Sequence, residues 1–432
     1  MEEKYPLFTV IIPQKNRAEF LGHTLRTCMI QDYPNFEVIV GDDCSDDNSV
    51  EVVRELQKID SRIKLIAHEQ HVGMHDNFEI TLNRVRPGYV MALGGDDALT
   101  PGCIWKMYEI FQKTGRQLLT WPISGYEYPS DEGGNGTFFV RRSKNNNIRI
   151  IKSEDFLNQI AKTFRYLTDL CPMFYVKGVA STELVNRVKA RTPDGSFYYC
   201  PTPDGYSGVV LAGEVEDYVY SPEPLSLSGM TKKSQGRIYH MTDEKSRQEA
   251  QQFFNDNVRR TMHEQLASQP YSPLITLMTA DYLLTAHDLP GWPGKFRMFS
   301  IEELLRRTFA FIGHSSFQKD TLSRELSILY EIAKQHHLER LFDELYNSTV
   351  LYRREPKPMS GMVITNSIRF EGKPLNINNI FDASIATPFV YNFYQKVSVK
   401  ELWRLIKNEI IVLVSKRKGF KKESLSKVSF QK

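Results

Sequence analysis

The sequence predicts an α/β protein: a mostly parallel sheet with helices on both faces, followed by a C-terminal helical domain. Two observations lead to this fold class. Runs of β-branched and aromatic residues alternate with helical spacing over the first 120 residues, and repeated βαβ units of this kind form parallel sheets with right-handed crossovers. From about residue 243 onward, the apolar residues recur with helical spacing, which is typical of a bundle-like domain.

The predicted elements of the first part alternate between strand and helix. The first strand, residues 7–12, is a continuous apolar run that ends at Pro13, as expected for a strand buried on both faces. It is followed by a helix at 17–31, a strand at 36–40, a helix carrying Val50, Val53 and Leu56, a strand at 63–66, a helix at 74–85 and a strand at 89–93. The segment 97–101 resembles a helix start, and the Gly- and Asn-rich segment 122–150 predicts an exposed hairpin.

The rest of the chain is predicted to be mixed and then helical. Residues 153–225 show a mixed pattern, and residues 355–395 are expected to be irregular. Helices are predicted at 249–266, 273–286, 301–312, 319–336, 338–348 and 399–414. We therefore expect an α/β domain over 1–242, a helical domain over 243–354, and an irregular segment with a basic amphipathic C-terminal helix over 355–432.

Composition and charge restrict the class of protein. The chain has 432 residues, of which 41% are apolar, and a net charge of only +3, which gives no sign of nucleic-acid binding. Its five cysteines are scattered without metal-binding spacing, which indicates reduced thiols in a cytoplasmic protein. Since no signal peptide and no apolar run of about 18 residues are evident, we expect a soluble or peripheral protein.

Polar residues follow three of the predicted strands. Pro13, Gln14 and Asn16 come after the first strand, Asp42-Asp43 after the second, and Asp96-Asp97 after the fourth. In parallel α/β sheets, ligands bind outside the carboxyl ends of the strands. The three clusters are therefore predicted to meet in one crevice.

The sequence Gly94-Gly95-Asp96-Asp97 carries the most chemical information. Adjacent carboxylates beside a buried strand repel one another and raise each other's pKa, and a divalent cation relieves that repulsion. Oxygen ligands favour Mg²⁺ or Mn²⁺, and such a cation binds phosphate groups. The alternative is an Asp-rich turn that caps the next helix.

These residues together resemble a known family. Residues 10–13, Asn16-Arg17, residues 31–47, Asn77, residues 94–97 and Pro101 are similar, in this order and spacing, to the opening of glycosyltransferase family 2. The similarity is strong over about residues 5–120 and weak over 165–240. It implies a GT-A fold with a Rossmann-like sheet, a nucleotide-sugar donor, Mn²⁺ or Mg²⁺, and inversion at the sugar carbon.

The sequence departs from the family pattern at two places. Cys44 replaces a common Gly after the second strand, and Gly94 and Gly95 stand before Asp96, where the family often has another Asp. A Gln-x-x-Arg-Trp motif is not found in the sequence. Since that motif marks processive synthases, the resemblance favours a non-processive hexosyltransferase of the bacterial polysaccharide type.

The resemblance also implies roles on the donor side. Asp42 and Asp43 would accept a hydrogen bond from the donor base, with helix capping as the alternative. Pro13, Gln14 and Asn16 would contact the nucleoside, or simply form a turn. Asn77 would reach the base or ribose, or lie on a helix surface. Asp96 and Asp97 would hold the metal and the diphosphate.

Two further features of the sequence are candidate parts of the donor site. His240 could complete the metal shell, although a lone histidine is more often structural. The hydroxyl-rich, basic segment 228–237 is suited to a loop that closes over the diphosphate, and the alternative is a solvated linker.

We expect the general base to be Asp204. Thr202 as N-cap, Pro203 at the first helical position and Asp204 in the first turn form a coherent helix start, whose dipole would keep the carboxylate ionised. The alternatives are a capping role for Asp204, Asp194 as the base, or one of the acidic residues Glu214, Glu216 and Asp217.

The predicted function is transfer of one sugar from a nucleotide-sugar donor, with UDP-sugar as the first expectation, to a saccharide or lipid-linked saccharide. The alternatives are a sugar-phosphate nucleotidyltransferase, which lacks support because no Gly-rich loop with a basic residue follows the first strand, and a degenerate nucleotide-binding protein.

Residues 396–432 carry a local charge of +8, so 399–432 could contact an anionic membrane surface or pack on the helical domain. The expected location is cytoplasmic, with a peripheral position on the inner face of the cell membrane as a variant.

Overall fold

The computed structural model describes residues 5–129, 134–141, 146–200, 202–231, 234, 260–315, 317, 319–354, 362–364, 367–396 and 420–431. Its strands are β1 (Phe8–Gln14), β2 (Phe36–Asp42), β3 (Ile63–Ala67), β4 (Tyr89–Ala92), β5 (Ala98–Leu99), β6 (Leu118–Thr120), β7 (Ser124–Glu127), β8 (Thr137–Arg141), β9 (Arg149–Lys152), β10 (Gly178–Ser181), β11 (Asp217–Tyr220), β12 (Ser226–Met230), β13 (Val350–Arg354), β14 (Met362–Ile364), β15 (Ser367–Glu371) and β16 (Phe420–Ser424).

The α-helices of the same residues are α1 (Ala18–Met29), α2 (Ser49–Ile59), α3 (Met74–Leu82), α4 (Cys103–Thr114), α5 (Ser153–Thr163), α6 (Thr182–Lys189), α7 (Pro203–Gly213), α8 (Ile275–His287), α9 (Ile301–Gly313), α10 (Lys319–Gln335), α11 (Glu339–Ser348) and α12 (Ile380–Lys396). The predicted α/β class is confirmed.

The central sheet has eight strands in the order β3-β2-β1-β4-β10-β6-β11-β9. The first four strands are parallel to one another, with β1 between β2 and β4. Strand β10 is antiparallel to both of its neighbours, and β9 is antiparallel to β11. The parallel half of the sheet therefore consists of the four strands that were predicted from the apolar pattern.

Helices cover both faces of this sheet. On one face, Val10 and Ile12 of β1 pack in a cluster with Leu21 of α1 and Met107 of α4. On the other face, Ile11 belongs to a larger cluster that includes residues of α3, α5, α7 and α8. Each such fully buried aliphatic side chain stabilises the fold by about 1.5–3 kcal/mol relative to exposure. Alternate residues of β1 thus contribute to separate apolar layers.

A second sheet lies beside the first, with six strands in the order β14-β15-β8-β7-β12-β5. Strands β7 and β8 form the predicted hairpin, but the expectation that it is exposed is wrong, because Phe138 and Val140 are buried. The expected helix start at 97–101 is also wrong: Ala98–Leu99 is a short strand paired with β12, and α4 begins at Cys103 after the left-handed Gly102.

The later helices agree closely with the apolar spacing. Helices α8 to α11 coincide with four of the predicted segments, whereas residues 264–266 form a short 3₁₀ turn and 249–259 lie outside the described residues. Helix α8 packs on α7, where the ring of Tyr282 closely approaches Gly205. This contact connects the helical region directly to the start of α7.

The expectation of irregular structure over 355–395 is wrong for two segments. Strand β15 pairs with β8 and extends the second sheet, and α12 packs against α1. The predicted helix at 399–414 lies outside the described residues. Within the described ranges, we find no helix whose length and apolar character would let it cross a membrane.

Candidate functional site

The carboxyl ends of β1 and β2 are tied together by Gln14 and Asp42. The side-chain amide of Gln14 donates a hydrogen bond to Asp42 Oδ2, and the backbone N–H of Ser45 donates to Asp42 Oδ1 at 2.9 Å. Pro13 lies beside Gly41 in the register of the two strands. The Gln14 Oε1 atom is buried, and no hydrogen-bond partner is found for it within the described residues.

Asp43 is held by the loop that follows β3. Its Oδ1 accepts from the backbone N–H of Val72 at 2.7 Å, and its Oδ2 accepts from that of Gly73 at 3.1 Å. The His71 ring nitrogen Nδ1 lies 2.8 Å from the same Oδ2. Asp42 and Asp43 are therefore both buried and strongly engaged by protein donors.

Asn77 and Asn16 also lie at this edge of the sheet, close to the two carboxylates. The amide of Asn77, which is 2% exposed, donates to the backbone oxygen of Gly41 at 2.9 Å, and its Oδ1 lies 3.1 Å from His68 Nε2. Asn16 has a left-handed backbone with φ of 56°, and its side-chain oxygen accepts from Asp46 N–H at 3.0 Å. The structure thus brings the predicted donor-side residues together at one edge of the sheet.

Asp97 is fixed by backbone donors on both of its carboxylate oxygens. Its Oδ2 accepts from the N–H of Gly94 at 2.6 Å, and its Oδ1 accepts from the N–H of Gly229 in β12 at 2.9 Å. Burial and the neighbouring charge of Asp96 raise the pKa of Asp97 well above its usual range. Asp97 therefore joins the loop after β4 to the second sheet.

Asp96 has a different set of partners. Its Oδ2 accepts hydrogen bonds from the hydroxyls of Thr231 at 3.2 Å and Ser234 at 3.5 Å. Burial raises the pKa of Asp96, and the charge of Arg17 opposes that rise. The carboxylate thus lies among hydroxyls that can rotate, close to a cationic side chain.

The two glycines before the doublet provide space. A Cβ on Gly94 would lie 2.5 Å from the Tyr175 hydroxyl and 2.9 Å from Asp97 Oδ2. A Cβ on Gly95 would lie 3.0 Å from the Cβ of Arg17. Because Gly94 and Gly95 carry no side chains, Tyr175 and Arg17 can approach the doublet closely. The absence of a further Asp before Asp96 therefore fits this close packing.

The donor set around Asp96 fits a hard divalent cation. Burial and mutual repulsion disfavour the ionised forms of Asp96 and Asp97, and a cation would compensate that cost. Mg²⁺ is bound in proteins by one or two carboxylates together with substrate phosphates and water. Among the described residues, no group of three or more His, Cys, Asp and Glu side chains converges, so phosphate and water would have to complete the shell.

His240 lies outside the described residues, as do most of residues 228–237 beyond Thr231.

Asp204 lies in the first turn of α7, where the sequence predicted it. Pro203 occupies the start of the helix, and Thr202 has an extended backbone at the N-cap position. The Thr202 hydroxyl makes no capping hydrogen bond and instead contacts the hydroxyl of Tyr282. Asp204 itself is only partly exposed to solvent.

Burial acts on Asp204 in a way that the sequence did not indicate. We expected the helix dipole to keep this carboxyl ionised at pH 7, and burial raises its pKa from 3.8 to about 6, which still leaves it mainly ionised at that pH. Tyr166 and Tyr282 pack closely against the adjacent Gly205 and so reduce the access of water to this helix terminus. A carboxylate with a raised pKa is a better proton acceptor than the sequence suggested.

The alternative acidic residues have protein partners. Asp194 Oδ1 accepts from the N–H of Ser196 at 3.0 Å and from its hydroxyl at 2.7 Å, and although partial burial acts in the opposite direction, these bonds lower the pKa of Asp194. Glu214 forms an ion pair with Arg191, and Asp217 forms one with Arg116. Glu216 is exposed.

Sequence reasoning missed four residues around the doublet. The sequence indicates Thr231 and Ser234 only as part of a loop suited to close over the diphosphate, and Arg17 only as a matching motif residue, whereas all three lie near Asp96. Tyr175, whose hydroxyl approaches Gly94, carries no signal in the sequence because it belongs to no motif. Only the three-dimensional packing brings it to this place.

Comparison with known proteins finds a family match in the first part of the chain. Residues 9–167 match glycosyl transferase family 2. TuaG of Bacillus subtilis, assigned by name to teichuronic acid biosynthesis as a glycosyltransferase, is 27% identical over 128 residues, which is 30% of this chain and 50% of TuaG. A GalNAc(5)-diNAcBac-PP-undecaprenol beta-1,3-glucosyltransferase of Campylobacter jejuni is 34% identical over 100 residues, covering 23% of this chain and 32% of that enzyme.

The matches to curated relatives are partial, since the chain spans half the length of TuaG and about a third of the Campylobacter enzyme. Among solved structures, TarS 1-349 of S. aureus in complex with UDP-GlcNAc has a TM-score of 0.43 at 15% identity, covering 81% of this chain and 93% of that one. A TM-score this low supports no inference about the present site.

Proposed function

We propose that the protein is an inverting, non-processive glycosyltransferase that uses a nucleotide-sugar donor, and the match of residues 9–167 to glycosyl transferase family 2 supports this. The observation that carries the proposal is the Asp96 carboxylate. It follows the parallel strand β4, faces two hydroxyls and lies near the charge of Arg17. A Cβ on the preceding Gly95 would lie 3.3 Å from the Cβ of Gln14, which donates to Asp42. This arrangement suits a cation that binds a diphosphate at the position where α/β sheets bind ligands.

The donor would lie across the ends of β1, β2 and β4. We propose that the base and ribose contact the surface formed by Pro13, Gln14, Asn16, Asp42, Asp43 and Asn77. The unpartnered Oε1 of Gln14 supports this, because a buried acceptor without a partner is costly and a ligand N–H would satisfy it. Carboxylate oxygens have four lone-pair sites in all, so Asp42 and Asp43 retain acceptor capacity beside their protein donors.

The diphosphate would lie next to Asp96, with Mn²⁺ or Mg²⁺ bound between them and Asp97 supporting the doublet. When bound, the cation neutralises charge on the departing nucleoside diphosphate. The chain itself positions the carboxylate through Thr231 and Ser234 and places the charge of Arg17 nearby. His240 stays a candidate ligand outside the described residues.

Asp204 would act as the general base. In a single displacement, the acceptor hydroxyl loses its proton to the base while its oxygen bonds to the sugar carbon and the sugar–phosphate bond breaks. A pKa of about 6 leaves Asp204 mainly ionised at neutral pH and still able to accept a proton. Asp194 and Glu214 are weaker candidates because each is engaged by another side chain.

The acceptor is proposed to be a saccharide or a lipid-linked saccharide of a bacterial surface polysaccharide. The named substrate of the Campylobacter relative is undecaprenol-linked, and TuaG is named for polysaccharide synthesis. The basic composition of residues 399–432 would favour contact with an anionic membrane surface at the cytoplasmic face. Comparing liposome co-sedimentation of the full chain with that of a chain ending at residue 395 tests this contact, and equal partitioning would contradict it.

A panel of nucleotide-sugars with Mn²⁺ present tests the proposed function. We expect one donor, and UDP-sugars first, to be hydrolysed slowly and to raise the midpoint of thermal unfolding. Formation of a nucleotide-sugar from a nucleoside triphosphate and a sugar phosphate would instead identify a nucleotidyltransferase. Binding of nucleoside diphosphate without any turnover, across acceptors of the saccharide and lipid-linked classes, would identify a degenerate binding protein.

A further inference from the structure

Tyr175 lies between the acidic doublet and the proposed base. The carboxylates of Asp97, Asp96 and Asp204 all act on its phenol and, together with burial, raise its pKa well above the ordinary value. On the doublet side, the hydroxyl comes within 2.5 Å of the place where a Cβ on Gly94 would lie. On the side of the base, the N–H of the adjacent Phe174 donates to the Ser207 hydroxyl at 3.0 Å, and that hydroxyl donates to the backbone oxygen of Asp204 at 2.7 Å. The segment that carries Tyr175 therefore contacts both the loop of the doublet and the first turn of α7.

Other tyrosines near Asp204 do not share this position. Tyr166, Tyr198 and Tyr282 also respond to the charge of Asp204, but neither Asp96 nor Asp97 is among the groups that shift them. All three are at most 4% exposed, whereas Tyr175 is partly exposed. Within the described residues, Tyr175 is thus the phenol that connects the two acidic groups and retains access to solvent or substrate.

The backbone beside Tyr175 is strained and firmly held. Val176 has a φ of 65°, which is a rare conformation for a β-branched residue. Its N–H donates to the backbone oxygen of Ala92 at 2.8 Å, and its carbonyl accepts from the Ser226 hydroxyl. Such strain is found where surrounding contacts fix a functional group in place. Here the contacts of Val176 fix the backbone directly beside Tyr175.

Gly94 completes the arrangement. The side chain of any other residue at this position would collide with the Tyr175 hydroxyl, so a close approach of phenol and doublet requires glycine. The hydroxyl makes no hydrogen bond that we find within the described residues, and a phenol, whose ordinary pKa is about 10, carries its proton at neutral pH. It is therefore a hydrogen-bond donor available to a substrate oxygen.

We propose that the Tyr175 hydroxyl donates a hydrogen bond to the diphosphate oxygen that leaves the donor sugar. This inference rests on the proposed glycosyl transfer. As the sugar–oxygen bond breaks, its electron pair stays on the diphosphate oxygen, the acceptor oxygen bonds to the sugar carbon, and the acceptor proton goes to Asp204. Tyr175 keeps its own proton and stabilises the negative charge that develops between the doublet and Asp204.

The Tyr175→Phe variant tests this role, with Tyr108→Phe as the matched control. Tyr108 is also half-buried and lies in the aromatic cluster with Tyr5 and Trp105, away from the doublet. Loss of one donor to developing charge lowers kcat by about 10²-fold in other enzymes. We expect that fall in Tyr175→Phe, with the donor KM, the nucleoside diphosphate Kd and the thermal midpoint unchanged, and full activity in Tyr108→Phe.

Three results would contradict the inference. An unchanged kcat in Tyr175→Phe would overturn it while leaving glycosyl transfer by the unaltered chain intact. A fall in kcat matched by an equal loss of diphosphate affinity or of thermal stability would show that the hydroxyl only supports the doublet. Inactivity of the unaltered chain across the whole donor panel would overturn the proposed function and this inference together.

Discussion

Two acidic regions at the same edge of the sheet are built in opposite ways. At the end of β2, Asp43 accepts hydrogen bonds from two backbone N–H groups, and Asp42 accepts from a backbone N–H and the Gln14 amide. On the reacting side, Asp96 faces two hydroxyls and Asp204 lies partly exposed at a helix start. Fixed donors hold a carboxylate in one orientation, in which its remaining lone pairs can accept from a bound donor base, whereas rotatable or sparse donors leave it free to bind a cation or a proton.

Asp204→Asn should give the largest effect if this comparison is correct. Removing a general base costs about 10²–10⁴-fold in turnover. We expect such a loss in kcat, measured with the donor found in the panel, while the affinity for nucleoside diphosphate stays unchanged. Asp194→Asn is the matched control and should retain turnover, since Asp194 is engaged by Ser196. Wild-type turnover in Asp204→Asn would exclude it as the base.

Asp96→Asn should give the second-largest effect. We expect turnover to fall by about 10²–10³-fold, which is the cost seen when one charge-stabilising group is removed. Because the buried charge disappears, the thermal midpoint should stay the same or rise. Steady-state kinetics over a range of Mn²⁺ concentrations checks this. Retained turnover with unchanged metal dependence would remove Asp96 from the site.

The pH profile should show a smaller effect, about tenfold per pH unit on the acid side. Because the ionised form of Asp204 is the base and its pKa is raised to about 6, kcat/KM should rise with pH and level off above about 6. The free energy of unfolding should change in the opposite sense. Because the pKa of Asp204 is higher in the folded protein than in the unfolded chain, this carboxyl stabilises the fold below about pH 4, and its contribution is lost as the pH rises through about 6. A flat kcat/KM from pH 5 to 8 would contradict the assignment.

Asp43→Asn tests the framework side and should act mainly on stability. Replacing one acceptor oxygen by an amide leaves a buried N–H of Val72 or Gly73 without its partner, which costs about 1–3 kcal/mol. Chemical denaturation measures this change in the free energy of unfolding. Because Asp43 is also proposed to contact the donor base, we expect the donor KM to rise while kcat at saturating donor changes little. A large loss of kcat with full stability would place Asp43 on the reacting side instead.

Features that depend on the local sequence could be predicted from it. Strands β1 to β4 and helices α8 to α11 were predicted because their apolar spacing is continuous, and the start of α7 because Thr202 and Pro203 are strong local signals. The strand 367–371 was missed because its pairing partner, β8, is more than 200 residues away in the chain. The rise in the pKa of Asp204 could not be predicted from the sequence, because Tyr166 and Tyr282, which pack at this helix start, come from distant segments.

Within the candidate site, sequence patterns located the carboxylates but not their partners. Asp96 and Asp97 are equivalent in sequence, and only the placement of β12 and Thr231 shows that backbone donors hold one while hydroxyls face the other. The ion pairs of Glu214 and Asp217 likewise depend on arginines elsewhere in the chain.

Calorimetry of nucleoside diphosphate binding, with and without Mn²⁺, tests the central claim most directly, namely that Asp96 binds a cation that holds the diphosphate. For the unaltered chain, we predict at least tenfold tighter binding with Mn²⁺ present, and no such gain for Asp96→Asn. Equal affinity with and without the cation in the unaltered chain would contradict the account.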